Sequence, residues 1–256
     1  LIALVVLAAA TAGAQAPKSD PPKSATPKSP AQAKTAAPGG SAEFDRLVAA
    51  ATEARRAENW EQAITLYEKA VKLKPSYVEG YWYQGTSYYS LDKFSECQQR
   101  FRTVARLAPK NGAAYAFLGL CEFGLKDYDR SLQHLLQSRI LGVGDTQGLA
   151  SVARYHAAVL MSRIEQYEQA LETLGEFAGE GDDNPRVIEA MGIATLRMPM
   201  LPIELPPDRR ERVLMAGRAS YMMASRNTAA AELAFDALVA RYPETPNVHY
   251  ADAVFL

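Results

Sequence analysis

The sequence is poor in the residues that usually announce chemistry. Two cysteines in 256 residues cannot build a fold held mainly by disulfides. The three histidines, His134, His156 and His249, are too few and too scattered for a zinc cluster. His134 and His156 fall on separate helices with no acidic partner at a fixed spacing, so neither is expected to serve as a ligand or a base. No HExxH, GxSxG, phosphate-loop lysine or paired CxxC motif occurs. Gly142, Gly144 and Gly148 have the wrong spacing for a phosphate loop and follow no strand, so they read as a connection between helices. The chain is therefore not expected to be an enzyme, and no metal or cofactor is expected. An excess of one charge is also missing. Lys and Arg number 28 against 29 Asp and Glu, a net charge of -1, which removes the electrostatic case for binding nucleic acid. No apolar run reaches the roughly 20 residues a spanning helix needs, so no membrane span is expected in the mature chain. At 48% hydrophobic and 22% charged residues, wholesale disorder is excluded.

The N-terminus is uncharged over residues 1–14, LIALVVLAAATAGA, the length of a signal-peptide apolar core. Ala12-Gly13-Ala14 offers the small-x-small pattern of a cleavage site, and the expectation is export to the periplasm, envelope or exterior. The chain begins at Leu1 and stops within the apolar run Ala253-Val254-Phe255-Leu256, so it reads as a fragment at both ends. Residues 15–42 hold six prolines and four lysines against the single Asp20, with no aromatic residue. Such a stretch buries too little apolar surface to offset the entropy of ordering it and reads as a disordered tether.

From residue 43 the chain repeats. Trp60, Phe94, Tyr128 and Tyr167 follow one another at 34, 34 and 39 residues. Gly85 and Gly119 share the 34-residue step, as do Pro75 and Pro109. Ala63, Cys97 and Ser131 keep it too, and so do Tyr67, Phe101 and Leu135. Several classes of position in one register mean a structural repeat. Each repeat reads as two amphipathic helices, the first pair being 44–57 and 61–73, with Pro75 as the stop. Small residues on first helices (Ala51, Gly85, Gly119, Ala158) are predicted to face small residues on second helices (Ala63, Cys97, Ser131, Ala170) and to let the pair approach closely.

This pattern resembles the tetratricopeptide repeat family. The resemblance covers four units within 43–184, starting near Phe44, Val78, Gly112 and Ser151. It implies an all-α, right-handed α-solenoid of about five to six stacked units, with a concave groove lined by first helices. Beyond residue 185 the pattern becomes irregular. Residues 186–197 read as a first helix, but four prolines within 198–207 exclude a helical partner there. Asp208, with Glu211 three residues on, reads as a capping box opening a helix to Ser225, which pairs with a helix over 228–241. Residues 246–256 begin a repeat whose partner is missing, and self-association or fraying is expected at that end.

The resemblance implies that partner contacts fall on fixed first-helix positions. The residues this selects are Arg55, Arg56, Trp82, Thr86, Tyr89, Leu120, Phe123, Tyr155 and Arg163. An arginine pair near aromatic anchors suits a carboxylate or an acidic side chain. Thr52, Thr86 and Leu120 stand where chaperone-tail-binding members carry clamp asparagines, so that ligand is not expected. The expected function is an exported protein-interaction scaffold or adaptor that holds a protein or peptide partner. The alternative is a carbohydrate-binding or enzyme-accessory module stacking sugars on Trp82 and the tyrosines. Cys97 and Cys121 read as buried thiols that export would allow to pair. Six of the methionines cluster between 191 and 223 and read as core filling.

Overall fold

The computed structural model describes residues 38–144, 146 and 148–255. The signal segment, and the tether as far as residue 37, lie outside the described residues. Among the described residues there are twelve α-helices and no strand. They are α1 (Pro38–Arg56), α2 (Trp60–Leu73), α3 (Val78–Ser90), α4 (Phe94–Leu107), α5 (Gly112–Gly124) and α6 (Tyr128–Leu141), followed by α7 (Leu149–Arg163), α8 (Tyr167–Gly179), α9 (Pro185–Thr195), α10 (Arg210–Ala224), α11 (Thr228–Arg241) and α12 (Pro246–Phe255). Helix α1 begins inside the stretch expected to be a tether, so 38–42 are helical. Proline suits a first helical turn, because the amide hydrogen it lacks would have no partner there.

The repeat appears first as punctuation. Trp60, Phe94, Tyr128 and Tyr167 are each the first residue of a second helix. Each follows a corner containing a non-glycine residue with positive φ: Glu58 (57°), Asp92 (55°), Lys126 (61°) and Glu165 (64°). Arg197 (50°) and Arg226 (61°) mark the ends of α9 and α10 in the same way. A single left-handed residue reverses the chain between antiparallel helices, and polar side chains carry its steric cost at these exposed corners. Asn59 and Asn111 then cap α2 and α5, accepting from the amides of Gln62 and Ala114 at 3.3 and 3.2 Å.

The described residues divide into two compact units, with the boundary between Ala153 and Arg154. In the first, α1 pairs with α2, α3 with α4 and α5 with α6, while α2–α3 and α4–α5 contacts join successive pairs. Close approach is built in where predicted. A β-carbon on Gly85 would lie 2.6 Å from the Phe101 ring, and one on Gly119 would lie 2.7 Å from Leu135. Ser131 donates to the Gly119 carbonyl at 2.8 Å across the α5–α6 pair. Tyr67 stacks on Tyr83 with ring centres 5.3 Å apart, and Phe101 stacks on Phe117 at 4.8 Å, so each fills the contact to the following pair. Cys97 and Cys121 are joined as a disulfide rather than left as thiols. Their positions face each other across α4–α5, with Cα atoms 6.0 Å apart, inside the span a disulfide bridges.

In the second unit α9 packs on α10, and α10 packs on α11. The irregular segment holds two short 3-10 turns, Pro202–Glu204 and Pro207–Arg209. Met198, Leu201 and Leu205 are buried along it, and Met198 and Leu205 share a cluster with Val213, Phe235 and Val248. Met191 is buried too, while Met200 and Met215 pack against that cluster from its edge. The expected Asp208 capping box does not form. Asp208 lies within the second 3-10 turn, and Arg209 occupies the cap of α10 without a side-chain bond. The rigid Pro206-Pro207 pair sets that turn, and the helix begins only beyond it. Helix α12 is seated through Val248 and Ala251, both fully buried, with Asn247 donating to the Leu196 carbonyl at 2.6 Å.

Candidate functional site

Seven of the nine selected residues belong to the first unit. Trp82 and Tyr89 lie on α3 and join one aromatic cluster, Tyr89 buried in it and Trp82 partly exposed at its edge. Trp82 stands edge-on to Phe101 and Phe117, at 5.2 and 5.4 Å between ring centres. Tyr89 meets Phe94 and Phe117 at 5.9 and 5.8 Å and is only 3% exposed. Burial, reinforced by the Asp92 carboxylate, raises the ionisation of the Tyr89 phenol, and its hydroxyl has no hydrogen-bond partner. Leu120 is buried as well. Trp82 and Tyr89 on α3 both meet Phe117 on α5, so they help to join successive pairs where α3 and α5 touch directly. Phe123 stays partly exposed, tilted against Tyr128 at 5.6 Å. The Thr86 hydroxyl donates to the Tyr83 carbonyl at 3.2 Å on its own helix.

Arg55 and Arg56 are neighbours in sequence and part company in space, as adjacent helical residues must. Arg56 is exposed and pairs with Glu53 at 2.8 Å. Arg55 is half-buried, with its guanidinium 4.4 Å from the centre of the Tyr83 ring. Its Nε is buried without an acceptor, and it makes no ion pair among the described residues. Around it, Tyr67 shares a 3.2 Å hydrogen bond with Thr52, and Phe44 stands edge-on to Tyr77 at 5.0 Å. Burial raises the phenols of Tyr77 and Tyr83, and the Arg55 charge opposes that shift in both. The first pair and α3 thus hold a cation on an aromatic surface with no anion of its own.

Tyr83 was not among the residues selected from the sequence. It occupies the sixth position of the second repeat, and Phe117 follows it at the 34-residue step. That recurrence of large aromatics was the available signal for both.

A second missed constellation surrounds Glu122 on α5. Its side chain is fully buried, with Oε2 2.6 Å from His134 Nδ1. Gln98 Nε2 donates to Oε1 at 3.1 Å, and Arg102 lies 3.7 Å from the same oxygen. His134 therefore acquires an acidic partner through the fold. The pairing crosses helices and has no fixed sequence spacing, so it stays invisible along the chain. A visible signal was Glu122 itself, a carboxylate in the register where Ala54, Tyr88 and Met161 stand in other repeats.

The remaining two residues belong to the second unit. Arg163 is committed to Glu204, reaching its two oxygens at 2.8 and 2.7 Å. Tyr155 is half-buried, and burial, with the Glu189 carboxylate nearby, pushes its phenol up to about 12. Arg154 and Arg197 are likewise engaged. Arg154 lies 4.1 Å from the Phe177 ring centre and bonds Glu176 and Glu180. Arg197 sits between Tyr167 and Tyr250, at 4.9 and 4.8 Å, and pairs with Glu168. Among the described residues no group of His, Cys, Asp and Glu is arranged to hold a metal ion, and no helix is long and apolar enough to cross a membrane.

Comparison with known proteins follows the same repeat. Residues 55–92 match a family model described as TPR repeat, and residues 84–140 match one described as tetratricopeptide repeat. No curated protein sequence matches the chain. Among solved structures, a crystal structure of MamA protein superposes with a TM-score of 0.57 at 15% identity, covering 74% of this chain and 96% of that one. YrrB, described as a TPR protein with an unusual peptide-binding site, gives 0.53 at 16% identity, covering 85% and 100%. The pilF protein of Pseudomonas aeruginosa gives 0.51 at 16% identity, covering 85% and 90%. At these identities the likeness is one of fold.

Proposed function

We propose that this chain, which belongs to the tetratricopeptide repeat family, is an exported scaffold that holds an acidic segment of a partner protein against the first-helix side of its N-terminal unit. The fold is that of a protein-interaction scaffold, and family members are generally not enzymes. The observation that carries the finer reading is Arg55: half-buried on Tyr83, with its Nε unbonded and no ion pair among the described residues. A cation held this way is partly desolvated and oriented before the ligand arrives, which strengthens a charged hydrogen bond. The other two arginines selected from the sequence, Arg56 and Arg163, are already paired with Glu53 and Glu204.

Binding of fluorescein-labelled hexaglutamate, with hexaglutamine as control, tests this. Arg55→Gln is expected to weaken the acidic peptide about tenfold, the size of one charged hydrogen bond, while Arg56→Gln changes it little. Equal affinity for the two peptides, or an unaffected Arg55→Gln variant, would sink the reading. Sugar stacking on Trp82 is disfavoured, since that ring packs on Phe101 and Phe117. Export rests on the apolar leader and gains support from Cys97–Cys121, since disulfides persist in oxidising compartments. Fractionation of source cells checks it: recovery of the chain with reduced cysteines in the cytosol would count against export.

A further inference from the structure

Cys97 and Cys121 are both fully buried, and their bond does not close a helical pair. It joins α4, the second helix of one pair, to α5, the first helix of the next. The adjoining residues repeat the link, since Gln98 donates to Glu122 across the same interface. Glu122 in turn reaches His134 on α6, so the tie extends through the whole α5–α6 pair. At the equivalent α2–α3 step the corresponding residues are Ala63 and Ser87, which cannot be bridged. One step of the first unit is therefore stapled and its counterpart is not. In a stack of repeats, stability is a sum of terms within repeats and terms between nearest neighbours, so a covalent bond across one interface acts chiefly on that step.

We propose that the Cys97–Cys121 disulfide is a redox-set lock on the α4–α5 step: oxidised, it holds α1–α4 and α5–α6 as one stack, and reduced, it lets this step open ahead of the others. A dithiol supplies the two electrons. One of its thiolates attacks a cysteine sulfur and expels the other cysteine as a thiolate, which takes up a proton. The second dithiol sulfur then displaces the remaining cysteine, leaving two cysteine thiols and a cyclic disulfide. Because both sulfurs are shielded, exchange requires the step to open transiently, and the reduction rate reports that opening.

The test is hydrogen exchange read by mass spectrometry on the full chain, oxidised and after dithiothreitol. Residues 94–107 and 112–124 are expected to lose protection roughly tenfold more than residues 60–73 and 210–224. The double variant Cys97→Ala, Cys121→Ala is expected to match the reduced protein with or without reductant. Alanine suits the first site, since Ala63 and Ala170 occupy the same register. If that variant does not fold, the reduced native sequence carries the test alone. Three outcomes overturn the proposal: loss of protection spread evenly over the first unit, no change on reduction, or alkylation of both cysteines after denaturation without reductant.

Discussion

Gly192 and Gly217 let α9 and α10 meet backbone against backbone. A β-carbon on Gly192 would lie 1.9 Å from the Val213 carbonyl oxygen, and one on Gly217 would lie 1.9 Å from the Ile188 oxygen. At Gly85 and Gly119 the nearest obstacle is a side chain, which can rotate; here it is a carbonyl held in a helix. The irregular segment between α9 and α10 therefore spans two helices already in contact, filling the space beside them with Met198 and Leu205.

Gly192→Ala tests that contact. The methyl group cannot be accommodated without separating the helices, so a loss of about 2–4 kcal/mol is expected in urea denaturation. Gly179→Ala is the control, since nothing lies within 4 Å of a β-carbon there. Equal stability of the two variants would mean the close approach is absent in solution.

Trp82→Ala separates the two roles of the α3 aromatics. If the ring supports the stack between Phe101 and Phe117, its removal costs stability, by about 2–4 kcal/mol for a large, partly buried aromatic. Binding of hexaglutamate per folded molecule should then change little. A variant with native stability and lost binding would return Trp82 to the partner surface.

The repeat was legible because it is a local, periodic property. Small residues at 85 and 119, corner aromatics at 60, 94 and 128, and prolines at 75 and 109 each mark a steric or hydrogen-bonding need within one pair of helices. The candidate site was less legible. First-helix position alone placed Tyr89 and Leu120 on a groove, but whether a side chain there faces solvent depends on its neighbour in the next repeat. Phe117 closes over Tyr89, and that contact crosses 28 residues of sequence. The partnership of Glu122 with His134, and of Arg55 with Tyr83, likewise forms only when helices are stacked. Proline-rich residues 198–207 hold no α-helix, as their composition requires, yet that composition gave no hint that they return to the core.

Glu122→Ala probes the buried polar cluster. Removing the carboxylate deprives His134, Gln98 and Arg102 of their shared acceptor and leaves a cavity in α5. A loss of about 2–4 kcal/mol is expected, with Glu122→Gln retaining part of it because an amide oxygen can still accept. A thermal melt matching the parent would show that solvent already satisfies these groups.

Glu189 makes a pH-dependent contribution to the second unit, opposite in sign to those of Glu168 and Glu180, whose paired carboxyls are held below the ordinary range. Its side chain is 13% exposed, with Arg210 Nη1 3.2 Å from Oε1, although that oxygen has no properly aligned donor. Burial raises its ionisation above the ordinary glutamate range, and the charges of Arg210 and Arg186 only partly oppose this. The folded protein therefore holds the Glu189 proton more tightly than the unfolded chain does. For a raised group, the stabilising contribution is complete below the unfolded value and is lost as pH rises through the folded one. Glu189→Gln removes the ionisation and keeps the shape, so the variant should be the more stable of the two at pH 7. The gain should vanish below the glutamate range, where both side chains are neutral. Denaturant midpoints for parent and variant, taken across that interval, decide it: a variant less stable at neutral pH would mean that Arg210 and Arg186 outweigh the burial of the carboxylate.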